Sequence, residues 1–111
     1  MDLRRDNIIE FRHKSWFNKE VYDVLRKNSI GFCAVSTPDF PENLVVTSRN
    51  AYVRFHGKDE NWYQYIYSKQ ELKVWADQIQ KLKTNRVFCY FNNDYKGNAI
   101  TNCRQLMELF K

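Results

Sequence analysis

The chain has 111 residues, enough for one domain with a modest hydrophobic core, and 43% of them are hydrophobic. Only three glycines and two prolines speak against a disordered or linker-rich chain, and no apolar run nears the roughly 20 residues of a membrane span. The net charge of +5 is spread in small groupings, such as Arg4-Arg5 and Lys81 with Lys83, which reads as a solvated surface before it reads as a clustered nucleic-acid footprint.

The N-terminal stretch MDLRRDNIIEF lacks a signal-peptide core, so a soluble cytoplasmic protein is expected. The three cysteines fit that compartment. Their count is odd, they form no CxxC, and Cys33, Cys89 and Cys103 all sit in apolar patterns, as small buried hydrophobes do.

In chain order, residues 7–13 (NIIEFRH) read as a strand. Residues 16–27 read as a helix, with Ser15 as N-cap and Phe17, Val21, Val24 and Leu25 on one face. The short apolar run IGFCAVS, 30–36, reads as a buried strand. Residues 37–50 contain Pro38 and Pro41 and no 3.6 period, hence an irregular connection. Residues 51–56 (AYVRFH) have the β-branched and aromatic bias of a strand. A polar, aromatic loop follows, with Trp62, Tyr63, Tyr65 and Tyr67, whose rings read as a lid or as packing against a helix.

Ser68 and Glu71 form the S-x-x-E capping box of a second helix, and Leu72, Trp75, Ala76, Ile79 and Leu82 give it one apolar stripe. Residues 86–92 (RVFCYFN) read as a fourth strand. The last helix covers about 97–110, with Ile100, Cys103, Met107 and Phe110 on one face. Near-continuous apolar strands alternating with amphipathic helices predict a single α/β domain over 1–111 with a parallel sheet. The connection at 37–50 is long enough for a parallel crossover.

Strand side chains alternate, so Tyr52, Arg54 and His56 share one face and Val53 and Phe55 the other. By the same parity Glu10 and Arg12 share a face of the first strand, and Phe88, Tyr90 and Asn92 a face of the fourth. The polar members fall toward the C-terminal strand ends, where parallel α/β folds bind ligands. An unpaired buried charge is costly, so these groups must pair with one another, with solvent or with a ligand. An internal salt bridge from Glu10 to Arg12 or Arg54 that only organises the sheet is one reading. A ligand site is the other, and the clustering favours it.

The segments EFRHKSW (10–16), VTSRNAYVRFHG (46–57), YSKQELKVWADQI (67–79) and YFNNDYKGNAITN (90–102) together resemble the YecE-like family, also called domain of unknown function 72. The positions matching the family's motifs are Glu10, Arg12, His13, Trp16, Tyr52, Arg54, His56, Gly57, Asn92, Asn93, Asp94 and Gly97. The resemblance implies a TIM-type β/α barrel with no settled biochemical function. It covers only the second half of such a barrel, four strands and three helices, where a TIM barrel has eight strands and about 250 residues. Two apolar edge strands would then invite pairing. Self-association into an oligomer, or a partner chain carrying the missing N-terminal half, follows as an expectation.

The first functional reading is a binding or catalytic site for a small anionic ligand. Arg12 and Arg54 would hold a phosphate or carboxylate by forked hydrogen bonds. TIM barrels often bind phosphate at the loops after strands seven and eight, here His56-Gly57 and the Asn92–Asn98 turn, with backbone N–H groups near Gly97 pointing outward. Glu10 and His56 would exchange protons where their surroundings move their pKa values toward neutrality. Asn92, Asn93 and Asp94 would complete the ligand contacts.

A metal held by Glu10, His56 and Asp94 is set aside, because no paired-histidine spacing supports it and two arginines would repel a cation. His13 reads as a loop or capping residue and Trp16 as packing. Two other readings stay open: a nucleic-acid-binding or nuclease-like module using the basic charge and the aromatic loop, and an inactive half barrel that needs a partner chain. Whether the protein is an enzyme, and which cofactor it would use, the residues leave unspecified.

Overall fold

The computed structural model describes residues 5–58 and 64–111. Arg4 of the basic pair and Trp62 and Tyr63 of the aromatic loop lie outside the described residues. Four strands, β1 (Asn7–Ile9), β2 (Ile30–Ser36), β3 (Asn50–Phe55) and β4 (Arg86–Phe91), form one sheet in that order, every neighbouring pair parallel. Three helices accompany them: α1 (Lys19–Lys27), α2 (Lys69–Gln80) and α3 (Asn98–Glu108). This is the α/β arrangement the alternation of strands and helices predicts.

The β2 segment matches its expected bounds, and β3 and β4 match to one residue. The first strand does not. It stops at Ile9 rather than running to His13, because β2 pairs with only three of its residues and the Glu10 side chain is drawn toward groups on β3. The first helix also starts late. Ser15 lies in a 3-10 turn, Lys14–Trp16, whose N-cap is His13, with Nδ1 accepting from the Ser15 N–H at 3.1 Å. Asn18 caps α1 instead, its Oδ1 accepting from the Val21 N–H at 3.0 Å.

α2 follows its sequence closely. Ser68 and Glu71 form the reciprocal capping box, and Leu72, Trp75, Ala76 and Ile79 are all buried. Phe55 is completely buried between Trp75 and Phe91, edge-on to the first at 5.2 Å and stacked on the second at 4.5 Å. Val53 and Phe55 therefore face the helices, as strand parity requires. On the α1 side, Phe11, Phe17, Tyr22 and Phe32 form an aromatic cluster, and Trp16 stacks on Phe11 at 5.2 Å.

No helix or strand occupies 37–49. The segment still does the work of a covering layer: Phe40 stacks on Phe17, Leu44 and Val45 pack against the core, and the Thr47 hydroxyl donates to the Ile30 carbonyl at 2.6 Å. Among the described residues no helix is long and apolar enough to cross a membrane.

The outer helices behave unlike α2. α3 buries Asn102 and Leu106, while Ile100, Met107 and Phe110 of its apolar stripe stand exposed. On α1, Tyr22 and Leu25 are buried and Val24 is exposed.

Candidate functional site

The face of the sheet turned away from the helices is built by parity. Cys33 on β2, Tyr52 and Arg54 on β3 and Tyr90 on β4 project from it, and Tyr52 stacks on Phe88 at 5.4 Å. Gly31 is required here, since a Cβ would lie 2.9 Å from the Tyr52 ring.

Glu10 is the centre of this face at the C-terminal end of the strands. Its side chain is only 12% exposed. Arg54 Nη1 donates to Oε1 at 3.1 Å, while Arg12 Nη2 at 3.3 Å and His56 Nε2 at 3.2 Å meet Oε2. The Cys33 thiol approaches Oε1 at 3.8 Å. Arg54 turns its remaining fork to the residue that follows β4, where Nη2 and Nε donate to Asn92 Oδ1 at 3.0 and 3.2 Å. Glu10, Arg12, Arg54, His56 and Asn92 are thus brought together, and each of the three guanidinium nitrogens of Arg54 meets a protein acceptor.

Burial works to raise the Glu10 pKa. The hydrogen bond from His56 and the charges of Arg54, His56 and Arg12 outweigh it, and the carboxyl ends below its ordinary 4.5. The expectation that Glu10 moves toward neutrality is therefore corrected: Glu10 is ionised at pH 7, an acceptor rather than an acid. Burial, and then the neighbouring Glu10 carboxylate, push the Cys33 thiol up to about 12. It stays protonated, which suits a donor to Glu10 and not a nucleophile.

The remaining expected residues are placed elsewhere. Asn93 is completely buried and donates to the Tyr65 carbonyl at 2.8 Å and to Asn102 Oδ1 at 2.9 Å. The Gly97 N–H is used within its turn by the Asp94 carbonyl at 3.1 Å, and Asp94 itself is exposed. The Gly57 N–H, at a positive φ of 111°, is likewise taken, by the Tyr67 hydroxyl at 2.8 Å. The Gly97 N–H, expected to point outward, is therefore spent inside the fold, and so is that of Gly57.

Three residues near the mouth escaped the sequence reading. Cys33 reads in the sequence only as one member of an apolar run, although strand parity sets it opposite Phe32 and Ala34, on the Glu10 side. Tyr67 is buried and donates to Ser36 Oγ at 2.9 Å, tying the ends of β2 and β3 together; burial pushes its hydroxyl up to about 12. Asn102 exchanges two hydrogen bonds with the Tyr67 backbone, at 2.8 and 3.0 Å, and so locks α3 to the start of α2. Nothing in hydropathy marks a buried asparagine of this kind.

The sequence profile described as "Protein of unknown function DUF72" matches residues 2–111. The chain belongs to the DUF72 family. Among curated relatives it is 30% identical to "UPF0759 protein YunF" of Bacillus subtilis (strain 168), over 91% of this chain and 45% of that protein. Among solved structures it is similar to a DUF72 family protein of Thermotoga maritima MSB8, with a TM-score of 0.90 and 35% identity over 96% of this chain and 46% of that one. A DUF72 protein of Enterococcus faecalis V583 superposes with a TM-score of 0.86 and 25% identity, over 95% of this chain and 48% of the other. The chain thus spans about half the length of the DUF72 proteins it matches, and its four parallel strands and three helices correspond to about half of their barrel.

Proposed function

We propose that the mouth around Glu10 binds a small anionic ligand bearing a phosphate or carboxylate. One observation carries this reading: a single mostly buried carboxylate is shared by Arg12, Arg54 and His56, so the cluster holds more cationic groups than acids. Arg54 is committed to Glu10 and Asn92 and serves as a fixed, positive floor. Arg12, with its side chain 68% exposed and one contact to Glu10, is the arm that closes on the anion. Any proton transfer falls to His56, with ionised Glu10 holding its Nε2 side.

The test is titration with inorganic phosphate and with acetate, followed by NMR on arginine and backbone resonances. A saturable shift centred on Arg12, Arg54 and His56, lost in Arg12→Ala, is the expected result. No saturable shift at millimolar concentration, or an unchanged one in Arg12→Ala, would sink the reading.

A further inference from the structure

An apolar groove runs along each edge of the sheet. At the β1 edge a cavity of about 590 Å³ lies between β1 and α1, lined by Ile9, Trp16, Val21 and Val24 with Glu20. At the β4 edge a cavity of about 730 Å³ lies between β4 and α3, lined by Phe91, Ile100, Cys103 and Met107 with Arg104. The exposure is large: Trp16 is 50%, Val24 59%, Ile100 61% and Met107 59% accessible. The apolar stripes that the sequence writes on the two outer helices therefore open onto the grooves, whereas that of α2 is buried against the sheet.

Beyond Glu10, Arg12 and Arg54, which pair with one another at the mouth, the β1-edge groove carries the acid Glu20 and the β4-edge groove the base Arg104. Among the described residues Glu20 and Arg104 form no ion pair, so one groove presents an unmatched acid and the other an unmatched base. Among the described residues each edge strand is also paired on one side only, since the sheet begins at β1 and ends at β4.

We propose that a second copy of this chain fills both grooves. β4 of each copy pairs in parallel with β1 of the other about a two-fold axis along the strands. The sheet order then closes as eight parallel strands, the number of a complete β/α barrel. The backbone already has the curvature for it, because it superposes with a TM-score of 0.90 on about half of a solved relative twice its length. The closure sets α3 of one copy beside α1 of the other, so Arg104 meets Glu20 twice, once at each seam. It also places Tyr90 and Asn92 of one copy next to Glu10 and Arg12 of the other, so each mouth is completed across a seam. The inference stands whether or not the mouth binds an anion.

Light scattering on size-exclusion fractions of the 111-residue chain, over a concentration series, reads the assembly directly. A mass of twice the chain is expected. Glu20→Arg and Arg104→Glu each lie on exposed helix surface and leave the circular dichroism unchanged. Each alone weakens the dimer by at least about tenfold, and the two together restore it. A monomer at every concentration would overturn the proposal. So would a dimer indifferent to both substitutions, or a monomer that associates only with a separately made chain carrying the rest of the DUF72 fold.

Discussion

The two ends of the sheet carry polar clusters of the same chemistry and different character. At the N-terminal end Asp6 accepts from Arg49 at 2.8 and 3.1 Å and from Asn50 at 3.1 Å, joining the approach to β1 with the start of β3. Asp6 is 39% exposed and Arg49 67% exposed, so this is a charge-balanced pair standing in water, with Arg5 and Lys27 exposed nearby. At the C-terminal end Glu10 reaches across β2 in the same way to β3, but it is mostly buried and shared by several donors. A solvated one-to-one pair fastens the chain and has little left to offer. A buried acid outnumbered by cations holds positive charge in place, which is what an anion site requires.

The sharpest way to break this contrast is to neutralise the two acids in turn. Glu10→Gln leaves Arg12 and Arg54 facing each other without a counter-charge and removes hydrogen bonds to charged donors. A loss of about 2–3 kcal/mol in urea unfolding is expected. Asp6→Asn is expected to cost less than about 1 kcal/mol. Equal costs would mean that the two ends are both plain fasteners.

The next contrast lies within the mouth. Arg54→Met strips the guanidinium donors from Glu10 Oε1 and Asn92 Oδ1 together and is expected to cost about 2 kcal/mol. Arg12→Met is expected to cost under about 0.5 kcal/mol, since its side chain is largely in water, while abolishing the phosphate-induced shifts. A stability loss at Arg12 as large as at Arg54 would make both arginines structural.

pH separates the ends in the same sense. The folded Glu10 pKa lies below 4.5, so its contribution is complete above that value and is lost as the pH falls through the depressed folded one. The gap in urea midpoint between the native chain and Glu10→Gln is expected to be constant from pH 7 to about 5 and to shrink below 4.5. A gap unchanged down to pH 3 would show that the carboxylate charge is not what stabilises the mouth.

Much of this was legible in the residues, for identifiable reasons. Ser68 and Glu71 announce α2 because a capping box is local, and its stripe is buried because α2 lies over the middle of the sheet. Parity along β3 placed Arg54 opposite to Phe55 correctly because the strand is regular. The end of β1 was not legible, since Glu10 leaves the ladder for partners 44 and 46 positions along the chain. Nor was the fate of the α3 stripe: periodicity tells which face is apolar and not whether anything in the same chain covers it. Asn93 looked like a ligand residue by its neighbours in sequence, and only the buried contact with Asn102 shows it to be a tether.

Salt gives the smallest effect and the finest resolution of the comparison. At about 1 M ionic strength the Debye length falls to about 3 Å, so the exposed Asp6–Arg49 attraction is mostly screened, while the Glu10 contacts keep part of theirs because little water reaches the carboxylate. The destabilisation by Asp6→Asn, under about 1 kcal/mol at low salt, is expected to vanish in 1 M sodium chloride, and that by Glu10→Gln to survive. Both collapsing together would mean that the mouth is as open to solvent as the opposite end, and a surplus of positive charge held there would then be neutralised by counter-ions before any ligand arrived.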